Sequence, residues 1–185
     1  NENPVGPSKM ALNVLGKNQK NINRYPDGKC DALKLEIVKF ISKSHIKTKN
    51  IIVGNGSSEI LELVAKAFLT NNSEALFSQH SFIVYKLVSN FMNAKVKESK
   101  LITKAGRSYM SSDLVDMKSK ITSKTKVIFL PNPANPTGVL ISYDAIDKFI
   151  STLSKKIIIV IDEAYIEYAC MRGHKSCLGL LKKYN

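Results

Sequence analysis

The feature that most constrains the fold is a series of short, continuously apolar segments that alternate with amphipathic ones. The most apolar of them is Ile157 to Ile161, which is followed at once by Asp162. Strands buried on both faces of a parallel sheet have this composition, whereas strands with one solvated face alternate apolar and polar residues. The pattern therefore predicts an α/β domain.

The other segments extend this alternation along the chain. Helices are predicted near residues 32–41, 60–68, 82–92, 113–121 and 143–153, and strands near residues 51–53, 75–77, 96, 127–130 and 157–161. We expect a three-layer α/β/α fold around a mostly parallel sheet. Because the chain begins on Asn1 rather than Met and ends directly after an apolar run, we expect this fold to be incomplete.

The composition narrows the possible partners. A formal net charge of +13 is compatible with nucleic-acid binding, but most of the 28 basic residues are lysines scattered through the predicted helices and turns. We therefore expect a solvated basic surface and no specific nucleic-acid site. No apolar stretch reaches the roughly 20 residues that cross a bilayer, so no membrane span is predicted.

The cysteines match neither a disulfide framework nor a pair of metal-binding dipeptides. There are three of them, Cys30, Cys170 and Cys177. We interpret them as free thiols in a reducing, cytoplasmic compartment, and we expect no metal site.

The first candidate loop has the sequence GNGSSE at residues 54–59 and precedes a predicted helix. Its glycines allow a ligand to approach the backbone, Ser57 or Ser58 can cap the helix, and the amides of the first turn can bind phosphate. The spacing matches neither a Walker loop nor a dinucleotide fingerprint. A plain capped helix start is the alternative.

The second candidate loop has the sequence NPANPTG at residues 132–138, directly after a predicted strand. Proline fixes the backbone and excludes helix, so the Asn135 side chain is expected to be held at the end of that strand, where its amide can donate to an oxygen. A rigid turn without further function is the alternative.

The third candidate is Asp162, the first charged residue after the apolar run. A carboxylate at the buried end of a strand is costly unless a cation or several donors meet it. Metal ligation and a structural salt bridge both stay open. Tyr165, three residues later, could present its hydroxyl to the same crevice, because ligands of such sheets bind at the carboxyl ends of the strands.

The order of these motifs resembles that of the fold-type-I pyridoxal-phosphate aminotransferases, in which NPxNPTG precedes a strand ending in Asp-Glu-Ala-Tyr. The opening NENP, the segment RYPDG at residues 24–28 and GNGSSE are similar to the histidinol-phosphate aminotransferase branch. The resemblance implies pyridoxal 5′-phosphate as cofactor, a small amino-acid-type substrate and a homodimer. It also implies that residues 1–23 form an N-terminal arm of the small domain, and residues 24–185 part of the cofactor-binding large domain.

The resemblance assigns catalytic positions to Asp162 and Tyr165. The carboxylate of Asp162 is implied to pair with the pyridinium nitrogen of the cofactor and to keep that nitrogen protonated. Asn135 and Tyr165 are implied to hydrogen-bond the phenolic oxygen.

Five further residues are implied to bind the cofactor. The backbone amides of Ser57, Ser58 and Glu59 are implied to hold its phosphate, and Phe82 to stack on the pyridine face. Tyr25 is implied to reach across a dimer interface to the phosphate group of the neighbouring subunit.

The resemblance also implies that the chain as given lacks a residue that the reaction needs. Transamination needs a lysine that binds the cofactor covalently and moves a proton, and in the family this lysine follows the region matching residues 178–184. We interpret Lys182 and Lys183 as solvent-facing, and we expect the chain as given to be inactive. The intact protein is expected to transfer an amino group between glutamate or 2-oxoglutarate and histidinol phosphate or imidazole-acetol phosphate.

Three other interpretations stay open. A different fold-type-I aminotransferase or a phosphothreonine decarboxylase would share the same cofactor loops. A non-catalytic dimerisation or binding remnant would keep the fold without using them.

Overall fold

The structure, a computed structural model, describes residues 4–42, 45–104 and 107–184. The chain divides into two compact units, Asn1–Val53 and Gly54–Asn185. The arm and domain boundary expected at residues 23–24 stays a prediction. Among the described residues, no helix combines the length and the apolar composition needed to cross a membrane.

The first unit contains two helices, α1 (Lys9–Asn18) and α2 (Asp31–Ile41). The sequence predicted α2 but not α1. The carboxylate of Asp27 fixes the start of α2, because it accepts hydrogen bonds from the backbone amides of Asp31 at 2.9 Å and Lys29 at 3.0 Å. These two bonds hold the pKa of Asp27 below its ordinary value. Asp27 of the RYPDG segment therefore has a structural role just before the start of α2.

The second unit is built on a four-stranded parallel sheet. The described strands of this unit are, in chain order, β1 (Glu74–Ser78), β2 (Lys95–Ser99), β3 (Leu101–Lys104), β4 (Arg107–Ser112), β5 (Thr125–Pro131) and β6 (Ile158–Asp162). The parallel sheet has the order β2-β1-β5-β6, which confirms the predicted mostly parallel arrangement. The antiparallel hairpin of β3 and β4 was not predicted.

Helices cover both faces of this sheet. They are α3 (Gly56–Phe68), α4 (Ile83–Phe91), α5 (Leu114–Ser119), α6 (Tyr143–Ser151), α7 (Ile166–Cys170) and α8 (Leu181–Tyr184). One core joins α3 and α4 to alternate strand residues such as Phe77 and Phe129. The opposite core joins α5 and α6 to the intervening residues, such as Leu76 and Ile128. The predicted three-layer architecture is confirmed, because successive strand residues face opposite layers.

The strand predicted at residues 51–53 is wrong. These residues form no regular element, and the Ile52 side chain is 75% exposed. A strand is stabilised by hydrogen bonds to a neighbour, and no described strand pairs with this segment. Apolar composition over three residues therefore does not make a strand on its own.

A buried charge marks the amino end of β1. The Glu74 side chain accepts hydrogen bonds from Thr122 Oγ1 at 2.5 Å and Thr125 Oγ1 at 3.3 Å. Lys97 Nζ lies 3.1 Å from the same carboxylate. Burial raises the pKa of Glu74, but these hydrogen bonds and the charge of Lys97 outweigh burial and leave the pKa below its ordinary value. The ionised carboxylate therefore stabilises this end of the sheet.

A second polar anchor lies at the other end of the sheet. Asn132, directly after β5, is 1% exposed. Its Oδ1 accepts the Ile141 N–H at 2.8 Å, and its Nδ2 donates to the Ile141 carbonyl at 3.1 Å. The Asn132 backbone N–H donates to the Asp162 carbonyl at 2.8 Å. Asn132 therefore closes the loop that carries Asn135 and ties that loop to the end of β6.

We predict that Glu74→Gln lowers the free energy of unfolding by about 2 kcal/mol at pH 7, because Lys97 loses a buried counter-charge. The loss should shrink as the pH falls below about 4, since the folded-state pKa is depressed and the wild type then gives up the same stabilisation. Urea unfolding at several pH values measures both effects.

The control for Glu74→Gln is Glu98→Gln. Glu98 pairs with Lys86 at 3.4 Å on the surface, where the Lys86 side chain is 50% exposed. We expect this variant to cost less than about 0.5 kcal/mol. Equal losses in the two variants would contradict the role assigned to Glu74.

We predict that Asn132→Ala loosens the loop between residues 132 and 141. The Ile141 amide loses its acceptor, which costs about 1–3 kcal/mol for a buried group. Hydrogen exchange of the Ile141 amide should therefore accelerate about tenfold or more. Asn135→Ala is the control, because it removes an amide from the same loop without touching Ile141. Unchanged exchange in Asn132→Ala would contradict this assignment.

Candidate functional site

The carboxyl ends of β5 and β6 meet the first residues of α3 and α4 around a small cavity. The cavity has a volume of about 50 Å³, and its walls include Ser57, Phe82, Tyr85, Asn135, Asp162 and Tyr165. The sequence had singled out all of these residues except Tyr85. The structure thus brings together side chains from three loops that are far apart in the chain.

Asp162 is the last residue of β6 and lies opposite Pro131 of β5. Its Oδ2 accepts a hydrogen bond from the Tyr85 hydroxyl at 2.8 Å, and its Oδ1 accepts the Ala164 N–H at 3.1 Å. The Asp162 carboxylate, which was expected to need a cation or several donors, therefore accepts hydrogen bonds from two neutral donors. Within the described ranges, no group of three or more His, Cys, Asp or Glu side chains could hold a metal ion.

Tyr85 is the functional candidate that sequence reasoning missed. It lies on α4 with 0% of its surface exposed, and its ring stacks on Phe129 with centroids 5.0 Å apart. Burial and the negative charge of Asp162 raise the pKa of the Tyr85 hydroxyl, so it stays a donor. A tyrosine on the apolar face of a helix is a weak signal, because it indicates only that the hydroxyl needs a partner.

Asn135 and Tyr165 face each other across the cavity. Asn135 Nδ2 donates to the Tyr165 hydroxyl oxygen at 3.5 Å, the long limit of a hydrogen bond. Tyr165 precedes the first residue of α7. An amide donor and a phenol therefore stand side by side where a ligand oxygen could contact both.

The start of α3 forms another wall of the cavity through Ser57. The predicted capping by Ser57 or Ser58 is wrong, because Asn55 occupies the cap position and makes no side-chain cap bond. Instead the Glu59 carboxylate accepts hydrogen bonds from the Asn55 backbone N–H and from Asn55 Nδ2, the latter at 3.0 Å. Ser58 lies in the same first turn, where helix amides have no acceptor within the helix, and Glu59 follows as the fourth residue of α3.

The two predicted aromatic contacts differ in their surroundings. Phe82 occupies the cap position of α4 and lines the cavity. Its ring meets the Tyr85 ring edge to face, with the ring centroids 5.9 Å apart. Tyr25 belongs to the first unit, and its side chain is fully exposed. Its expected role involves a second subunit and stays a prediction.

The donors and acceptors of this cavity suit a flat heteroaromatic ring that carries an anionic group. Asp162 offers a negative acceptor for a ring N–H, while Asn135 and Tyr165 offer contacts for a ring oxygen. The start of α3 offers amides and a positive helix end for an anion. The enclosed volume of about 50 Å³ is below the roughly 300 Å³ of a complete ligand pocket, so the described residues do not by themselves enclose a ligand of that size.

Comparison with known proteins identifies the family of the chain. The family model for class I and II aminotransferases matches residues 1–183. Histidinol-phosphate aminotransferase 1 of Mannheimia succiniciproducens is 36% identical over 184 residues, and histidinol-phosphate aminotransferase 2 of Haemophilus influenzae is 36% identical over 185 residues. Each alignment covers 100% of this chain but 48% of the relative, so the chain spans about half the length of these relatives.

Solved structures show the same fold. The histidinol-phosphate aminotransferase of Clostridium acetobutylicum is 30% identical with a TM-score of 0.80, and the match covers 100% of this chain and 51% of that one. The enzyme of Sinorhizobium meliloti in complex with pyridoxal-5′-phosphate is 19% identical with a TM-score of 0.81, covering 90% of this chain and 43% of that one. Together with the family match, these likenesses confirm the resemblance found in the sequence. The chain belongs to the class I and II aminotransferases.

Proposed function

We propose that the full-length protein uses pyridoxal 5′-phosphate to transfer an amino group between glutamate or 2-oxoglutarate and histidinol phosphate or imidazole-acetol phosphate. One observation carries the proposal: the Asp162 carboxylate, held by two neutral donors, shares a cavity with Asn135, Tyr165 and the start of α3. The names of the relatives support the substrate pair. The cofactor in the Sinorhizobium meliloti structure supports the choice of cofactor.

In this proposal, Asp162 and the Asn135–Tyr165 pair orient the cofactor ring. When bound, pyridoxal phosphate supplies a conjugated ring that withdraws electrons from the substrate α-carbon. Asp162 holds a proton on the ring nitrogen, which strengthens that withdrawal. Asn135 Nδ2 and the Tyr165 hydroxyl, which lie 3.5 Å apart, would together bind the phenolic oxygen.

The remaining predicted residues bind the phosphate and the ring face. The backbone amides of Ser57, Ser58 and Glu59 at the positive end of α3 hold the phosphate. Of Glu59, only the backbone amide is assigned this role, because the Glu59 carboxylate is bound to Asn55. Phe82 packs on the ring. Tyr25 contacts the phosphate group bound by the other subunit of a homodimer.

We place this homodimer in the cytoplasm, where a biosynthetic aminotransferase would meet its substrates. All three cysteines are free thiols in the structure, which is compatible with a reducing compartment. The amine that the reaction needs is proposed to come from outside these 185 residues. Among the described residues that line the cavity, none is a lysine.

We predict that Asp162→Asn lowers kcat for histidinol phosphate with 2-oxoglutarate by about 100-fold or more in the full-length gene product, because the ring nitrogen loses its anionic partner. Asp147→Asn is the control, since Asp147 pairs with Lys183 at 2.7 Å outside the cavity. Steady-state assays of glutamate formation measure both variants. The proposal fails if Asp162→Asn keeps wild-type activity, or if phosphothreonine reacts with release of carbon dioxide in preference to histidinol phosphate.

We predict that the 185-residue chain alone gives no turnover with histidinol phosphate and 2-oxoglutarate, since the reaction needs an amine beside the cofactor. Adding full-length Asp162→Asn subunits tests whether a mixed dimer restores turnover. It should not, because neither subunit then has both the carboxylate and the amine. Turnover by the chain alone would contradict the proposed source of the amine.

A further inference from the structure

We propose that Tyr85 is a positioning residue for the cofactor and acts through the carboxylate of Asp162. The inference rests on the proposed function, because an oriented carboxylate matters here only if it meets a ring nitrogen. It adds a residue that the sequence motifs do not contain.

Hydrogen bonds hold the Asp162 carboxylate through both of its oxygens. Asp162 Oδ2 accepts from the Tyr85 hydroxyl at 2.8 Å, and Oδ1 accepts from the Ala164 N–H at 3.1 Å. A carboxylate has about four acceptor positions, so each oxygen keeps room for another donor. Because the two bonds end on different oxygens, the carboxylate plane cannot rotate without breaking one of them. The remaining acceptor positions are therefore fixed in space.

Packing and hydrogen bonding hold Tyr85 itself in place. Its ring lies parallel to that of Phe129, with an interplanar angle of 4°. Phe129 belongs to β5, where it is the partner of Val160 in β6, the strand that ends in Asp162. Ser89 Oγ donates to the Tyr85 carbonyl at 2.7 Å, a hydrogen bond within α4, the helix that carries Tyr85. The hydroxyl is thus held by the same sheet that carries the carboxylate.

The Tyr85 hydroxyl is a neutral donor. Tyr85 is buried and stays protonated, so it orients Asp162 without neutralising it. In the part of the chain that the structure describes, no lysine or arginine forms an ion pair with Asp162. A cation in place of Tyr85 would compete with a protonated ring nitrogen for the carboxylate. A neutral donor leaves the full negative charge for the ligand.

The test compares two cofactors in the full-length gene product after removal of its bound cofactor. Tyr85→Phe keeps the ring stack and removes only the hydroxyl. The probes are pyridoxal 5′-phosphate and its analogue in which carbon replaces the ring nitrogen, and equilibrium dialysis gives both affinities. The analogue has no ring N–H for Asp162, so it reports any general damage to the site.

Tyr184→Phe is the matched control. The Tyr184 hydroxyl also donates to an aspartate, Asp147 Oδ1 at 2.5 Å, but that pair lies outside the cavity. We expect Tyr85→Phe to weaken binding of pyridoxal phosphate by about tenfold, the effect of one hydrogen bond to a charged group. Binding of the analogue should not change, and Tyr184→Phe should bind both probes as the wild type does.

Each other outcome overturns a specific part of the argument. Unchanged binding of pyridoxal phosphate by Tyr85→Phe would show that the hydroxyl positions nothing. Equal weakening of both probes would show that Tyr85 only supports the fold. If the wild type itself fails to bind pyridoxal phosphate, the proposed function fails, and this inference fails with it.

Discussion

Parallel pairing of β5 with β6 is the constraint on which the candidate site depends. It puts Pro131 beside Asp162, so that both strands end at the same edge of the sheet. The next backbone amide, that of Asn132, donates to the Asp162 carbonyl at 2.8 Å and continues the pairing for one more residue. The NPANPTG loop and the Asp-Glu-Ala-Tyr segment therefore start from a shared, hydrogen-bonded origin. A slip of one residue would turn Asp162 to the opposite face of the sheet.

The two ends of the sheet handle carboxylates in different ways. At the amino end, Lys97 Nζ lies 3.1 Å from the Glu74 carboxylate, so each group has an oppositely charged partner. At the carboxyl end, the partners of the Asp162 carboxylate among the described residues are neutral donors, the Tyr85 hydroxyl and the Ala164 amide. A satisfied ion pair stabilises a fold but leaves little charge for a ligand, whereas a carboxylate held by neutral donors keeps its charge. The contrast explains why one acid is structural and the other is the candidate for chemistry.

The sequence predicted the elements whose residues carry a repeated pattern. The all-apolar run before Asp162 and the amphipathic helices α3 and α6 were placed correctly, because a continuous apolar run and an apolar stripe are both recognisable in a sequence. The residues of β6 are nevertheless half-buried, because β6 is the last strand of the described sheet. The run Ile51 to Val53 was not, since a strand also needs a neighbour that its own residues do not specify. Tyr85 escaped for a related reason. Its partner lies 77 residues away, and its spacing on α4 is that of an ordinary core residue.

The two adjacent acids of the Asp-Glu-Ala-Tyr segment have different partners. Adjacent residues at a strand end face opposite layers, so Asp162 turns to Tyr85 of α4 while Glu163 turns to the other face. There the Glu163 carboxylate accepts bonds from the Ser176 hydroxyl and the Cys177 N–H, both at 2.6 Å. Burial, together with the charge of Glu163, raises the pKa of the Cys177 thiol to about 12, so this cysteine is an inert part of the core. The motif thus carries an acid that lines the cavity and, beside it, an acid that anchors the following segment, and only the fold distinguishes them.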